Sequence, residues 1–128
     1  MDKAQALNSF WNSFSWQAID EQSAYDESTL DQLEIEFPYI TYEVATGEFG
    51  DQISIGCDLW DKSTTWSRVS QKADDISARI SRGGIFVPYD GGAIWITRGS
   101  PFSQRMDAET SNDVRRIHIN INAEFLSA

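Results

Sequence analysis

Two alternating strands that lead directly into an amphipathic helix, between residues 37 and 80, constrain the fold more than any other part of this sequence. Side chains in a strand point alternately to the two sheet faces, so apolar residues at every second position indicate one buried face. This pattern predicts a β-hairpin over 37–61. Its predicted core positions are Ile40, Tyr42 and Val44 in the first strand and Ile53, Ile55, Cys57 and Leu59 in the second.

The helix that follows is predicted over 63–82. Apolar residues recur there at offsets of three and four, which is typical of a helix with one buried stripe. The Ser-Thr-Thr run at 63–65 offers an N-cap, arginines in the last turn suit the negative end of the helix dipole, and Gly83-Gly84 ends the helix. The predicted stripe consists of Trp66, Val69, Ala73, Ile76 and Ile80.

The 128 residues predict one α+β domain. We expect a small, mostly antiparallel sheet of four or five strands, with an N-terminal helix and the central helix packed on its apolar face. The N-terminal helix is predicted from a stripe of Ala4, Leu7, Phe10, Trp11 and Phe14. The other predicted segments are the N-terminal helix over 1–14, an irregular acidic connection over 15–36, a hairpin over 85–98, a projecting loop over 99–114 and a final strand over 115–126.

The net charge of −10 is distributed unevenly along the chain. Residues 1–61 contain thirteen acids and one base, whereas residues 62–128 contain nine bases and seven acids. Nucleic-acid binding needs clustered Lys and Arg, so specific DNA binding is not expected. Two interpretations stay open: the acids keep a small domain soluble, or the subunit has one acidic and one mildly basic surface for head-to-tail assembly or a basic partner.

The sequence contains no recognisable motif for catalysis, for a metal or for a cofactor, and we predict a protein that is not an enzyme. One histidine and one cysteine cannot form the usual zinc sites, and Cys57 is expected to be a small buried hydrophobe. Asp51, Asp58 and Asp61 lack the calcium-loop pattern and are expected to be solvated acids near strand ends. His118 is expected on the polar side of the final strand, exposed or at an interface.

The predicted loop over 99–114 combines apolar and arginine side chains, which are common in interface anchors. Trp60 is expected on the sheet face opposite the apolar side, where either helices cover both faces or Trp60 contacts a partner. The alternative for Phe102 is that it folds back onto the core. The predicted assembly interface comprises Trp60, Arg98, Pro101, Phe102, Arg105, Met106, Arg116 and His118.

The sequence shows neither a membrane-spanning segment nor a secretory signal. No apolar run approaches the roughly 20 residues that span a bilayer, so no membrane association is expected. The start, Met1-Asp2-Lys3, shows no basic region followed by an apolar one, which predicts no secretory signal and a protein kept in a reducing cytoplasm or in something assembled there.

Several short runs resemble the small tail-completion or tail-terminator proteins of long-tailed phages and their prophages. The similarity extends over roughly residues 8–126, and related neck proteins such as head–tail joining subunits are close competitors. The runs are Phe37-Pro38-Tyr39-Ile40-Thr41-Tyr42-Glu43, Leu59-Trp60-Asp61-Lys62-Ser63, Tyr89-Asp90-Gly91-Gly92, Pro101-Phe102 and Arg115-Arg116-Ile117-His118-Ile119-Asn120-Ile121 through to Phe125-Leu126.

The resemblance implies an α+β subunit of the virion tail or neck, made in the cytoplasm of a bacterial host. Such subunits form a ring, commonly hexameric, that ends the tail tube and presents a surface to the head-side connector or stopper protein. It implies no cofactor and no catalysis, and DNA passes through the ring without specific binding. A small acidic binding module or an enzyme without a recognisable motif is the alternative from another class.

Overall fold

The computed structural model describes residues 1–24, 36–46, 50–106 and 113–127, which contain six strands and three helical segments. The helices are α1 (Lys3–Asn12), the short α2 (Glu21–Ala24) and α3 (Ser67–Ile80). The α+β prediction is confirmed, and the sheet has six strands where four or five were expected. These strands are β1 (Gln17–Asp20), β2 (Tyr39–Tyr42), β3 (Gln52–Lys62), β4 (Ile85–Tyr89), β5 (Gly92–Met106) and β6 (Val114–Ser127).

All six strands belong to one sheet in the order β1-β2-β3-β6-β5-β4. The β1–β2 pair is parallel and the other four pairs are antiparallel. The long central pair joins β3 to β6 along the whole of β3, from Gln52 opposite Glu124 to Lys62 opposite Val114. The predicted pairing of the two strands in 37–61 is confirmed, and residues 47–49 between them lie outside the described residues.

The core lies on one side of the sheet, here called the helix face, because α1 and α3 pack there. The predicted α3 stripe is confirmed: four of its members are buried, and Trp66 packs against them. In α1 the stripe needs one correction, since Ala6 is buried and Ala4 is exposed. Val44, expected in the core, follows the end of β2 and is 46% exposed. The opposite side, on which neither α1 nor α3 packs, is called the outer face.

The N-termini of α1 and α3 are capped differently. At α1 the Asp2 carboxylate accepts from the Gln5 backbone N–H at 2.8 Å, and the Gln5 side chain accepts from the Asp2 N–H at 2.8 Å, which is a capping box. At α3 the predicted cap in 63–65 is wrong. The Ser63 hydroxyl accepts from the Thr65 N–H in a local turn, and Trp66 occupies the cap position with no side-chain hydrogen bond.

The expected irregular connection over 15–36 is wrong for its first part, where β1 and α2 lie. Ala18 and Ile19 are both buried, although pairing with β2 places them on opposite faces. A strand buried on both faces lacks the alternation that reveals a strand in sequence. Residues 25–35 of this segment lie outside the described residues.

The expected loop over 99–114 is also wrong for its first half. Strand β5 continues to Met106 and pairs with β6 on both sides of an irregularity between Arg98 and Ser103. Four residues there oppose a single residue of β6, so the segment is an enlarged bulge and not a loop. Residues 107–112 lie outside the described residues.

Candidate interaction surface

The outer face carries aromatic and charged side chains in rows that cross several strands. In the first row Tyr39 opposes Trp60, Trp60 opposes Arg116, and Met106 lies beyond Arg116. Directly opposed side chains in antiparallel strands have Cβ atoms about 4.5–5.5 Å apart, so each row is a line of contacts. The second row consists of Thr41, Asp58, His118 and Gln104.

Phe37, Tyr39 and Trp60 form what we call the aromatic corner of the outer face. The Phe37 and Tyr39 rings are 5.2 Å apart, and the Tyr39 and Trp60 rings stack 6.1 Å apart at an angle of 14°. The Trp60 indole donates to the Thr41 hydroxyl at 3.0 Å, and the Arg116 guanidinium lies 5.0 Å from the Trp60 ring. Because Phe37 remains 39% exposed, the corner offers apolar area to a partner while its inner rings are held in place.

A nearly buried carboxylate on the outer face contacts both Arg116 and His118. Asp58 is only 7% exposed, and one of its oxygens, Oδ1, accepts from Arg116 Nε at 3.1 Å and faces His118 Nδ1 at 3.0 Å. Since a buried carboxylate is costly without partners, these contacts fix the positions of Arg116 and His118.

The His118 ring lies over a glycine and between two oxygen acceptors. Its Nε2 faces the Asn120 side-chain oxygen at 3.1 Å, and the Asn120 amide nitrogen donates to the Pro101 carbonyl at 3.0 Å. Gly56 makes room for the ring, because a Cβ there would lie 3.3 Å from two of its atoms. His118 therefore couples the β3–β6 pair to the bulge of β5.

Glu43 extends this cluster toward α2. Burial raises the pKa of the Glu43 carboxyl above its ordinary value, with a smaller contribution in the same direction from Glu21, whereas His118 and a backbone hydrogen bond with Gly56 act to lower it. When folding raises the pKa of an acid, ionisation of that acid destabilises the folded state. Glu43 thus weakens the fold at neutral pH relative to acid pH.

We expect Glu43→Gln to raise the melting temperature at pH 7, by less than about 1 kcal/mol in stability because the side chain is only half-buried. The gain should shrink as the pH falls from 7 to about 4, where the wild-type carboxyl becomes protonated in both states. Thermal unfolding between pH 4 and pH 7 measures this. Asp74→Asn removes an exposed charge on α3 and reports the general effect of lowering the net charge. An equal gain in both variants would contradict the local explanation.

A second group of aromatic rings, which we call the hairpin corner, lies at the other end of the outer face. Phe86 of β4 opposes Trp95 of β5, and their rings stack 6.1 Å apart at 13°. The Trp95 indole donates to the Gly83 carbonyl at 3.0 Å, which ties the corner to the turn after α3. Phe86 is 60% exposed, more than any other large apolar residue among those the structure describes.

Two arginines of the predicted interface lie on the helix face and hold α3. Arg98 donates from Nε and Nη2 to the Ser77 carbonyl, at 3.1 and 2.7 Å, near the C-terminal end of α3. The Arg105 guanidinium lies 4.8 Å from the Trp66 ring, which marks the N-terminal end of that helix. Both side chains are exposed in part, but their contacts show that they support α3.

The other predicted interface residues fall into two groups. Phe102 is half-buried and packs against the core, as the alternative interpretation expected, whereas Pro101 and Met106 are exposed on β5. Trp60, Arg116 and His118 come together on the outer face. The predicted set is therefore divided between the two faces of the sheet.

Sequence reasoning missed Phe37, Tyr39, Phe86 and Trp95 as surface features, and it misplaced two acids. Asp58 and Asp61 are buried and not solvated: Asp61, on the helix face, accepts from Arg68 Nε of α3 at 3.0 Å. Asp58 is two residues from Trp60 and so shares its face, which is the signal that could have grouped them. Cys57 is buried as predicted, and this burial raises the pKa of its thiol well above the ordinary value.

Within the described ranges, no three His, Cys, Asp or Glu side chains are placed to hold a metal ion. None of the helices in those ranges has the length and apolar character needed to cross a membrane.

Comparisons with known proteins identify the fold and no family. No protein-family model matches the chain, and no curated protein sequence matches it. One solved protein structure superposes with a TM-score of 0.55, covering 97% of this chain and 90% of the other, at 10% sequence identity. At that identity the likeness shows a shared fold alone.

Proposed function

We propose that this chain is a structural phage virion protein, a tail-terminator subunit that caps the tail tube as a ring and forms the junction to the head. The observation that carries the proposal is the outer face, which presents two partly exposed aromatic corners on a sheet whose other side holds the core. The resemblance of several short sequence runs to tail-terminator proteins supports a ring on the tail tube as the kind of assembly.

The outer face suits assembly because its side chains are ordered before any partner binds. Trp60 is held by stacking and by the Thr41 hydroxyl, Arg116 by Asp58, and Trp95 by the Gly83 carbonyl. Fixing side chains in advance lowers the entropy lost on binding, which favours stable contacts between identical subunits.

The charge of the chain suits a ring through which DNA passes. A net charge of −10 repels duplex DNA, so a channel formed by such subunits does not retain the genome. Hydrogen bonds of Arg98 to Ser77, and of Arg116 to Asp58, engage cations that would otherwise be available to phosphates.

The proposal predicts a ring, which forms at high protein concentration or on tail tubes. Analytical ultracentrifugation and negative-stain electron microscopy of the protein alone, and of the protein mixed with purified tail tubes, should show ring-shaped assemblies, hexameric if the resemblance holds. Tubes given the protein should stop growing, whereas tubes given buffer should continue. A protein that stays monomeric at high concentration and also fails to bind tubes would refute the proposal.

A second measurement distinguishes the tail side of the junction from the head side. The tagged protein is incubated separately with tail-tube protein and with head-side connector proteins, and capture is compared. Capture of tail-tube protein supports a tail terminator. Capture of connector proteins alone would instead identify a head-side neck subunit.

A further inference from the structure

The aromatic corner and the hairpin corner lie at diagonally opposite ends of the outer face. Trp60 pairs with Arg116 of β6, and Trp95 pairs with Glu124 of the same strand. Arg116 and Glu124 are eight residues apart in β6, which is about 27 Å at the usual rise of a strand. One subunit can therefore contact two neighbours through this face, one at each corner.

Opposite charges accompany the two corners. Lys62 is exposed and follows Trp60 by two residues, so it lies on the same face beside the aromatic corner, whereas Glu124 opposes Trp95 in the hairpin corner. Neither side chain has an ion-pair partner among the residues that the structure describes. Arg116 is already paired with Asp58, so Lys62 is the cation of this corner that has no ion-pair partner among the described residues.

The two outermost strands are poorly suited to edge-to-edge pairing. At β1 the Asn12 side chain accepts from the Ala18 N–H at 2.9 Å and donates to the Ala18 carbonyl at 3.2 Å, occupying groups that an added strand would need. At β4, Pro88 has no N–H to donate. Occupied or missing edge groups disfavour strand addition, which leaves the outer face as the better contact.

We propose that the subunits of the ring join head to tail, with the aromatic corner and Lys62 of one copy against the hairpin corner and Glu124 of the next. This inference rests on the proposed function and names the surfaces that it uses. A corner placed against the same corner of another copy would bring like charges together. The head-to-tail contact instead pairs Lys62 with Glu124 and stacks aromatic side chains on both sides, and it closes into a ring when the rotation between copies allows.

Charge reversal tests this contact. Lys62→Glu gives a subunit with two acidic corners and Glu124→Lys gives one with two basic corners, so each variant alone should need at least about tenfold more protein for half-assembly. Mixed together, the two should assemble again, since each corner then meets an opposite charge. The double variant should assemble with itself and not with wild type. Assembly is measured by sedimentation or, if rings form only on tails, by the capping of tail tubes.

Two control variants separate the contact from general effects. Asp74→Lys reverses an exposed charge on α3 and should assemble like wild type, and all variants should melt close to the wild-type temperature. Phe86→Ser should weaken assembly, whereas Val44→Ser, an exposed apolar residue of neither corner, should not.

The outcomes distinguish this inference from the proposed function. Single reversals that assemble normally, or a mixture that fails to recover, would overturn the head-to-tail contact while a wild-type ring still supports the tail-terminator proposal. A wild type that neither associates nor caps tubes would overturn both.

Discussion

Replacing Gly56 with alanine is expected to lower the free energy of unfolding by about 3 kcal/mol, because the new methyl group has no space. An ideal Cβ at Gly56 would lie 2.2 Å from the Ile119 carbonyl oxygen and 3.3 Å from the His118 ring. The ring can shift, but the carbonyl belongs to the central β3–β6 ladder and cannot move without parting the two strands. The melting temperature should fall by roughly 10 °C.

Gly83→Ala is the matched control for this prediction. No atom lies within 4 Å of a Cβ added at Gly83, so its stability should remain within about 0.5 kcal/mol of wild type. Urea denaturation of both variants measures the difference. A Gly56→Ala protein as stable as the Gly83→Ala protein would mean that the close approach of β3 and β6 at this point is wrong.

The segment from β2 to α3 could be predicted from the sequence because its apolar pattern reports local geometry. The stripe from Val69 to Ile80 follows the helical repeat, and Ile55, Cys57 and Leu59 follow the strand repeat, so each pattern identifies both the element and its buried side. The helix is shorter than the predicted 63–82, and its predicted N-cap is wrong because the Ser63 hydroxyl is used within a turn of its own.

Strand β1 and the second half of β5 could not be predicted, for different physical reasons. β1 has only four residues, and its two central side chains are buried on opposite faces, so no period is visible. In β5 the Gly99-Ser100-Pro101 run has the composition of a turn, yet the strand resumes pairing at Ser103 after the bulge. Here the partner strand β6 determines the structure, and local preference does not.

The sequence predicted which face of the sheet the candidate surface residues occupy, but not which of these residues are in contact. Alternation alone places Trp60, Arg116 and His118 away from the core side, which is how the sequence grouped them correctly. Which of them touch depends on the register of β3 against β6, and no local pattern encodes that register. Arg98 and Arg105 were misassigned for different reasons: Arg98 follows the alternation of Ile94 and Ile96 onto the side of α3, whereas the bulge, invisible in sequence, places Arg105 on that side.

Replacing Asp58 with alanine is expected to lower the free energy of unfolding by about 2–3 kcal/mol, since it leaves Arg116 and His118 without their shared acceptor. The loss stays below the value for a fully enclosed pair because both partners keep some contact with water, with 29% and 24% of their side chains exposed. Asp58→Asn should cost less, because an amide oxygen can still accept a hydrogen bond.

Asp75, the exposed partner in an ion pair on α3, provides the comparison that makes this prediction specific. Asp75 lies 3.9 Å from Lys72 and is 55% exposed, so Asp75→Ala should change stability by no more than about 0.5 kcal/mol. The Asp58 loss should also persist at 0.5 M salt, because buried pairs are weakly screened.

A double-mutant cycle completes the test of the outer-face network. If Asp58 and Arg116 act together, the loss in the Asp58→Ala and Arg116→Ala double variant should be smaller than the sum of the two single losses, by at least about 0.5 kcal/mol. The same variants should weaken ring assembly, because an unpaired Arg116 no longer holds its position over the Trp60 ring. Additive losses in stability would show that the two residues act independently, and the ordered outer face on which the assembly proposal depends would then lack its central contact.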